Sequence, residues 1–319
     1  GPAAAATPAT GALALGAHPD GARLSGARAC IWNERVADPT LVATKSHRLA
    51  ASLCTAFIAN SRAGAELCTT LYGAPPGRVH VVRNGLALAP ALQGRVETRA
   101  RLGVNDATMV VTMVANVHER KDHATVLRGF ALATAHHQPG ESLLICAGDA
   151  VEGALRKLEA LAAELGIAAR VRFPGRVADV AGLLEASDIS IFASHAEGTP
   201  NGVLESMAKS LPVIASDLPG IRDALGEASA RWLVPARDAE GFAARLRLLR
   251  QFRQRILRAL LGATLACHQL AHDAHGDLHV GAQQVGKRRA LDLQHAQVGL
   301  GARGGEARLV LQDGHLAEE

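Results

Sequence analysis

The sequence predicts an α/β protein built around a doubly wound parallel sheet, and three observations support this. Residues 107–116, "ATMVVTMVAN", form a run of Val, Met and Thr that is typical of a strand covered on both faces. From there to about residue 251, short strand-like runs alternate with helical ones. The spacing suits strand–helix–strand units. Ligands of such sheets bind at the carboxyl ends of the strands.

The pattern places six strands and six helices in this region. The predicted strands are residues 108–115, 142–147, 170–173, 189–193, 212–215 and 232–234. The predicted helices are residues 122–135, 152–165, 180–186, 201–209, 221–225 and 237–251.

A shorter set of β-α-β pieces precedes this sheet. Residues 35–53 show a helical pattern that leads into the apolar run "CTAFIANS". A helix follows, opened by Ser61 and closed by Gly73. The segment "GRVHVVRNG" then reads as a short strand ending in an Asn-Gly turn. The alternation of strand-like and helical runs weakens over residues 86–106, which predicts a linker.

The domain boundaries follow from these changes in pattern. Residues 1–34 are a mixture of Ala, Gly and Pro without a period, and we expect them to be irregular. Residues 35–90 are expected to form a partial first domain and residues 91–251 the second. Residues 252–319 are crowded with His, Gln and Gly and predict an irregular tail, which is either a disordered extension or a translation in the wrong reading frame.

Composition excludes several functional classes. The net charge of +4 suits a phosphate-bearing ligand or an anionic membrane surface. Aromatic residues make up 3% of the chain, which is too few for typical base-stacking modules, so we expect no nucleic-acid partner. Five scattered cysteines give neither a zinc pattern nor a disulfide framework, and they favour a reducing cytoplasm. The glycine fingerprint of dinucleotide binding is absent from the alternating strand–helix region, and the fingerprint of nucleoside-triphosphate binding and D-x-D are absent from the sequence.

The segment "HAEGTPNGVLESMA", residues 195–208, is the strongest candidate for a site. A turn opens a helix directly after a predicted strand, so free backbone N–H groups and the positive end of the helix dipole face the strand end. Glu197 and Glu205 flank that turn. Acids beside an anion site are favourable only if they bind neutral hydroxyls, as on a sugar or a ribose. The simpler interpretation is a helix-entry acid and an exposed helical residue.

The surrounding residues favour the functional interpretation. "SHAEGTPNGVLESMA" followed by "PVIASDLPG" resembles the signature of the retaining nucleotide-sugar glycosyltransferases of family 4, the "glycosyl transferases group 1" domain of fold type B. The resemblance covers residues 56–247. It implies two Rossmann-like domains, of which the N-terminal one is truncated here, and it implies retention of the donor's α-linkage.

The resemblance also implies roles for individual residues. Lys121 would bind the donor diphosphate and Glu197 would contact the donor sugar, which makes these two the expected catalytic residues. The other expected donor-binding residues are Asn116, Arg120, Gly175, Arg176, Gly198, Thr199, Pro200, Asn201 and Glu205. Asn116 stands where the family often has arginine, and Arg120 is the residue that could compensate. Gly175 and Arg176 would line the base pocket, and Glu205 would hold the ribose.

The expected function is transfer of a sugar from a nucleoside-diphosphate sugar to a glycan or lipid-linked acceptor. We expect no cofactor and no metal. The histidines of the tail do not change this, because Gly276 interrupts the helix that would align them. We expect a cytoplasmic location. The net positive charge of the chain permits peripheral contact with the inner face of the membrane. The alternatives are a nucleotide-sugar-binding remnant or partner subunit without catalysis, and an epimerase of the same fold.

Overall fold

The computed structural model describes residues 29–253 except residues 39, 88, 89 and 139. The segments predicted to be irregular therefore lie largely outside the described residues. So do the tail histidines.

Three short parallel strands form the first sheet, in the order β1-β2-β3. The strands are β1 (Ile31–Glu34), β2 (Ala56–Ala59) and β3 (Val79–Val81), and the helices between them are α1 (Lys45–Ser52) and α2 (Arg62–Thr70). Thr44 begins α1 through a capping box with His47, and the Ser61 hydroxyl accepts from the Gly64 N–H at the start of α2.

The first strand corrects the boundary predicted for the irregular N-terminal segment. Residues 31–34 were expected to be irregular, but they pair in register with β2. The short sequence IWNE has no clear alternation of its own, and its pairing partner lies 25 residues away. The predicted helix of residues 35–53 is likewise confined to α1.

The second sheet has six parallel strands in the order β6-β5-β4-β7-β8-β9. Its strands are β4 (Met109–Val114), β5 (Ser142–Ala147), β6 (Val171–Gly175), β7 (Ile189–Phe192), β8 (Val213–Ser216) and β9 (Leu233–Val234). Every predicted strand is confirmed to within two residues at either end. The chain winds outward from β4 to β6, then crosses back to β7 and winds the other way. The topological switch point therefore lies between β4 and β7.

Helices cover both faces of this sheet. They are α4 (His123–Ala133), α5 (Ala154–Glu164), α6 (Val180–Ala186), α7 (Asn201–Ala208), α8 (Pro219–Leu225) and α9 over residues 239–253, preceded by α3 (Arg95–Arg101). The core is apolar, with fully buried side chains on β4, α4 and β7 such as Met113, Phe130 and Ile191. Within the described residues, no helix is both long and apolar enough to cross a membrane.

Helix α3 lies in the segment predicted to be a linker. Its sequence RVETRAR shows no apolar stripe. A buried arginine instead attaches the helix to its neighbours. The Arg99 guanidinium donates to the carbonyl oxygens of Ala186 (2.7 Å) and Thr108 (2.6 Å) and contacts Asp188 at 3.4 Å. These bonds attach α3 to the end of α6 and to the start of β4.

Candidate active site at the switch point

Helix α7 begins directly above the carboxyl end of β4. A Cβ atom at Gly202 would lie 2.2 Å from the carbonyl oxygen of Val114, so only glycine permits this approach. Pro200, predicted at or near the first helical position, is the N-cap residue, and its carbonyl accepts from Leu204 N–H at 3.3 Å. The first N–H groups of α7 therefore have no intrahelical partner at the switch point.

The loop after β4 is fixed against the segment after β7. Asp122 N–H donates to the carbonyl of Ala193 (3.1 Å), and His195 N–H donates to the carbonyl of Arg120 (2.9 Å). Asp122 also caps α4 through the Thr125 N–H. These bonds hold the backbone on both sides of Lys121 in a defined position.

Lys121 and Glu197 meet in this position. The Lys121 ammonium is hydrogen-bonded to Oε1 of Glu197, and their side chains are 18% and 9% exposed. Nζ also lies 4.7 Å from the centroid of the Phe192 ring, at the end of β7. The two residues predicted to be catalytic are therefore adjacent, and both are largely withdrawn from water.

Glu205 lies in the second turn of α7 and is half-buried. Burial raises the pKa of its carboxyl group. A carboxylate in this setting is stabilised by hydroxyl donors, such as the two hydroxyls of a ribose.

Asn116 lies after β4, and Gly175 and Arg176 lie at the end of β6. They are joined by Gly148 and Asp149, which follow β5 and which the sequence did not single out. Asp149 N–H donates to Oδ1 of Asn116 at 3.1 Å, and the Asp149 carboxylate accepts from Nε of Arg176 at 2.9 Å. The Gly175 carbonyl accepts from Gly148 N–H at 2.9 Å. The Arg176 guanidinium holds the pKa of Asp149 below its ordinary value. Asn116 thus supports the loop after β5.

Arg120 acts here through its backbone. Its carbonyl accepts from the Ser194 hydroxyl at 2.9 Å as well as from His195. Its charge also affects His118 in the same loop. Burial, followed by the charges of Lys121 and Arg120, lowers the pKa of His118, so this histidine is neutral at pH 7.

The Gly198–Asn201 turn lies against the carboxyl ends of the first sheet. A Cβ at Gly198 would lie 2.1 Å from Oδ1 of Asn60 and 2.5 Å from the Arg35 carbonyl, so glycine is required at this contact. The Thr199 hydroxyl donates to the Asn60 carbonyl at 2.7 Å. Asn84 donates to the carbonyl of Thr199 (2.9 Å) and to Oδ1 of Asn201 (2.8 Å).

Sequence reasoning missed the residues that make these contacts. Asn60 and Asn84 each follow a strand of the first sheet, and a polar residue at a strand's carboxyl end was the available signal. Asp223 on α8 is a further residue at this edge, where Arg83 binds it at 2.9 Å. The partners in each contact are separated by more than 100 residues in sequence, so that local signal can indicate the polar residues but not their contacts.

Comparisons with known proteins show what the segment that carries this site is similar to. Residues 108–251 match the model of the family "Glycosyl transferases group 1". The D-inositol 3-phosphate glycosyltransferase of Rhodococcus opacus is 34% identical over 203 residues, which are 60% of this chain and 45% of that protein. The enzyme of the same name from Thermomonospora curvata is 31% identical over 235 residues, 69% of this chain and 54% of that protein. The chain thus spans about half the length of these relatives.

The fold is shared with solved structures. The crystal structure of Anabaena Alr3699/HepE with UDP and glucose aligns with a TM-score of 0.64 and 21% identity, over 87% of this chain and 74% of that one. Residues 108–251 therefore match the group 1 glycosyltransferases, and the two parallel sheets share the type B fold of the solved neighbours.

Proposed function

We propose that the chain binds a nucleoside-diphosphate sugar at the switch point and transfers the sugar to an acceptor with retention. The diphosphate would lie against the start of α7 and beside Lys121. Glu197 would accept hydrogen bonds from sugar hydroxyls, and Glu205 from the ribose. Gly175 and Arg176 would lie near the base. The observation that carries this proposal is the Lys121–Glu197 pair beside the free N–H groups of α7.

Two groups would stabilise the leaving diphosphate, and Lys121 is the stronger. A helix N-terminus contributes about 0.3–1 kcal/mol to an exposed anion. A hydrogen bond to a charged group contributes about 1.5–3 kcal/mol. We therefore assign most of the electrostatic stabilisation to Lys121 and the positioning to α7. The acceptor hydroxyl would attack the anomeric carbon on the face that the diphosphate leaves.

The neighbours support the choice of donor. Alr3699/HepE was solved with UDP and glucose, and the curated relatives are named as glycosyltransferases. On this basis we propose a place in glycan, glycolipid or cell-surface polysaccharide synthesis. We further propose that the reaction needs no cofactor and that the protein works in the cytoplasm, in contact with the inner face of the membrane when the acceptor is lipid-linked.

A second function is favoured by one observation. Asn116 occupies the position expected of a phosphate-binding arginine, yet its side chain supports Asp149. A site with Lys121 as its main cation would suit a nucleotide-sugar-binding subunit without catalysis.

Nucleotide release from UDP- and GDP-sugars, measured with and without candidate acceptors, tests the proposal. We expect acceptor-dependent release, reduced on the order of 100-fold in Lys121→Ala. Lys157→Ala, an exposed lysine on α5, is the matched control and should match the wild type. Donor binding without turnover would select the binding subunit, and interconversion of the sugar without acceptor would select an epimerase.

A further inference from the structure

Two cysteines lie side by side at the edge where the strands of the first sheet begin. Cys30 directly precedes β1 and Cys54 lies between α1 and β2, and their Sγ atoms are 3.6 Å apart. A disulfide bond has an S–S distance of about 2.05 Å, so the two sulfur atoms have to approach by only about 1.5 Å. The two residues are 24 positions apart in sequence, so no local cysteine motif reveals the pair.

Backbone hydrogen bonds hold the two cysteines in this position. Thr55, which follows Cys54, donates its N–H to the Cys30 carbonyl at 2.7 Å and its hydroxyl to the same oxygen at 2.8 Å. The Cys30 N–H in turn donates to Oγ1 of Thr55 at 3.1 Å. These three bonds fix the backbone of Cys30 against the residue next to Cys54, so the two thiols stay within reach of each other.

The two thiols differ in their access to solvent. Cys30 is half-buried, whereas Cys54 is 3% exposed. An oxidant in solution therefore reaches Cys30 first, and Cys54 lies behind it to complete a disulfide, as a resolving cysteine does. Burial raises the pKa of Cys68 and of Cys146 to about 12, so these two thiols stay protonated and unreactive at pH 7.

The pair stands at the start of a strand that supports the candidate active site. Among the described strands, β1 pairs with β2 alone. After β1 the chain continues to Arg35, whose carbonyl oxygen accepts from the Asn60 amide at 3.4 Å and borders the turn at Gly198. A covalent bond between Cys30 and Cys54 would therefore fasten to the sheet the strand that leads to this turn.

We propose that Cys30 and Cys54 form a redox modification site, at which hydrogen peroxide produces a reversible disulfide bond that fastens β1 to the first sheet. The Cys30 thiolate attacks one peroxide oxygen, the O–O bond breaks, and the sulfenic acid of Cys30 and one water form. The Cys54 sulfur then attacks the Cys30 sulfur, the S–O bond breaks, and the departing hydroxide takes the Cys54 proton as a second water. Two thiols are oxidised to one disulfide while one peroxide is reduced to two waters.

Peptide mapping of the full chain tests this site. Trypsin, which cleaves after Lys and Arg, places every cysteine on a peptide of its own, namely residues 29–35, 49–62, 63–78, 129–156 and 259–287. Mass spectrometry without reduction, before and after treatment with hydrogen peroxide, identifies the linked pair. Thermal unfolding of the same samples measures the effect on stability.

Two variants complete the experiment. Cys30→Ser removes the thiol that the oxidant reaches first, and it is chosen over a change at Cys54 because Cys30 is only half-buried. Cys267→Ser is the matched control, since it removes a thiol that lies outside the described residues.

We expect a link between peptides 29–35 and 49–62 that dithiothreitol removes, and a midpoint of unfolding raised by about 5–10 °C in the oxidised chain. Cys30→Ser should show neither change, and Cys267→Ser should show both. Recovery of Cys30 and Cys54 as unlinked thiols or sulfinic acids, a link of either one to another cysteine, or two chains joined through Cys30 would overturn the site. A link that leaves the midpoint unchanged would overturn the fastening of β1. None of these outcomes depends on the proposed donor site.

Discussion

The ammonium of Lys121 is paired with the carboxylate of Glu197, and both side chains are largely buried at the carboxyl edge of β4 and β7. Each neutralises the other in the absence of a ligand. A bound diphosphate would compete with Glu197 for Lys121, which would release the carboxylate toward sugar hydroxyls. The pair would thus couple donor binding to the positioning of the donor sugar.

This pairing predicts a stability effect that is separate from activity. Lys121→Met leaves Glu197 buried without its cation, so we expect the free energy of unfolding to fall by about 2–4 kcal/mol. Adding Glu197→Gln should recover part of the loss. Urea denaturation of the two single variants and the double variant measures this. Strict additivity of the two losses would show that the residues do not interact.

Glu205 predicts a trade-off between stability and binding. Burial raises its folded-state pKa above the ordinary 4.5, so the ionised carboxylate destabilises the fold above that raised pKa, and the effect disappears as the pH falls to 4.5 and below. We expect Glu205→Gln to be more stable than wild type at pH 7, with the difference shrinking toward pH 4. UDP binding should weaken by about 1–3 kcal/mol.

Thermal unfolding across this pH range, together with calorimetry, measures both effects. Glu159→Gln, an exposed acid on α5, is the control. A Glu205→Gln variant that is less stable at pH 7 would contradict the burial argument.

Gly198 predicts a steric effect on the contact between the two sheets. A Cβ there would overlap Asn60 and the Arg35 backbone, so Gly198→Ala should cost about 1–3 kcal/mol of stability. Gly77→Ala is a suitable control, since nothing lies within 4 Å of its added Cβ. Chemical denaturation compares the two. Equal stabilities of Gly198→Ala and Gly77→Ala would mean that the turn is not in close contact with the first sheet.

Arg99 is the buried arginine that helps to hold α3 in place, beside the partly buried Arg95, which binds Asp188 at 2.7 Å. Arg99→Met strands the carbonyls of Thr108 and Ala186 and removes a partner of Asp188, so we expect a loss of about 3–5 kcal/mol. The exposed Arg101 on the same helix offers the control Arg101→Met, which should stay within about 0.5 kcal/mol of wild type. Denaturant titration checks both variants, and a loss below about 1 kcal/mol for Arg99→Met would be inconsistent with this anchoring role.

The second sheet was predictable chiefly because its inner strands are buried on both faces and therefore read as continuous apolar runs, such as Ser142–Ala147. Helix α3 was not, because Arg99 replaces the apolar stripe that periodicity detects. Strand β1 depends on pairing with a segment 25 residues away. Local sequence could not indicate either feature.

The same distinction applies to the site. Lys121, Glu197 and the Gly198–Asn201 turn were predictable, since each lies in a local motif after a strand. Their contacts with Asn60 and Asn84 were not, because these depend on how the two sheets meet. The roles of the predicted site residues in binding and catalysis stay predictions.

The most direct measurement is a crystal structure of the chain with UDP bound. We expect the diphosphate within hydrogen-bonding distance of the first backbone N–H groups of α7 and of Nζ of Lys121, and we expect the ribose hydroxyls on Glu205. A diphosphate bound elsewhere, with the Lys121–Glu197 pair intact and the start of α7 vacant, would contradict the assignment of this site.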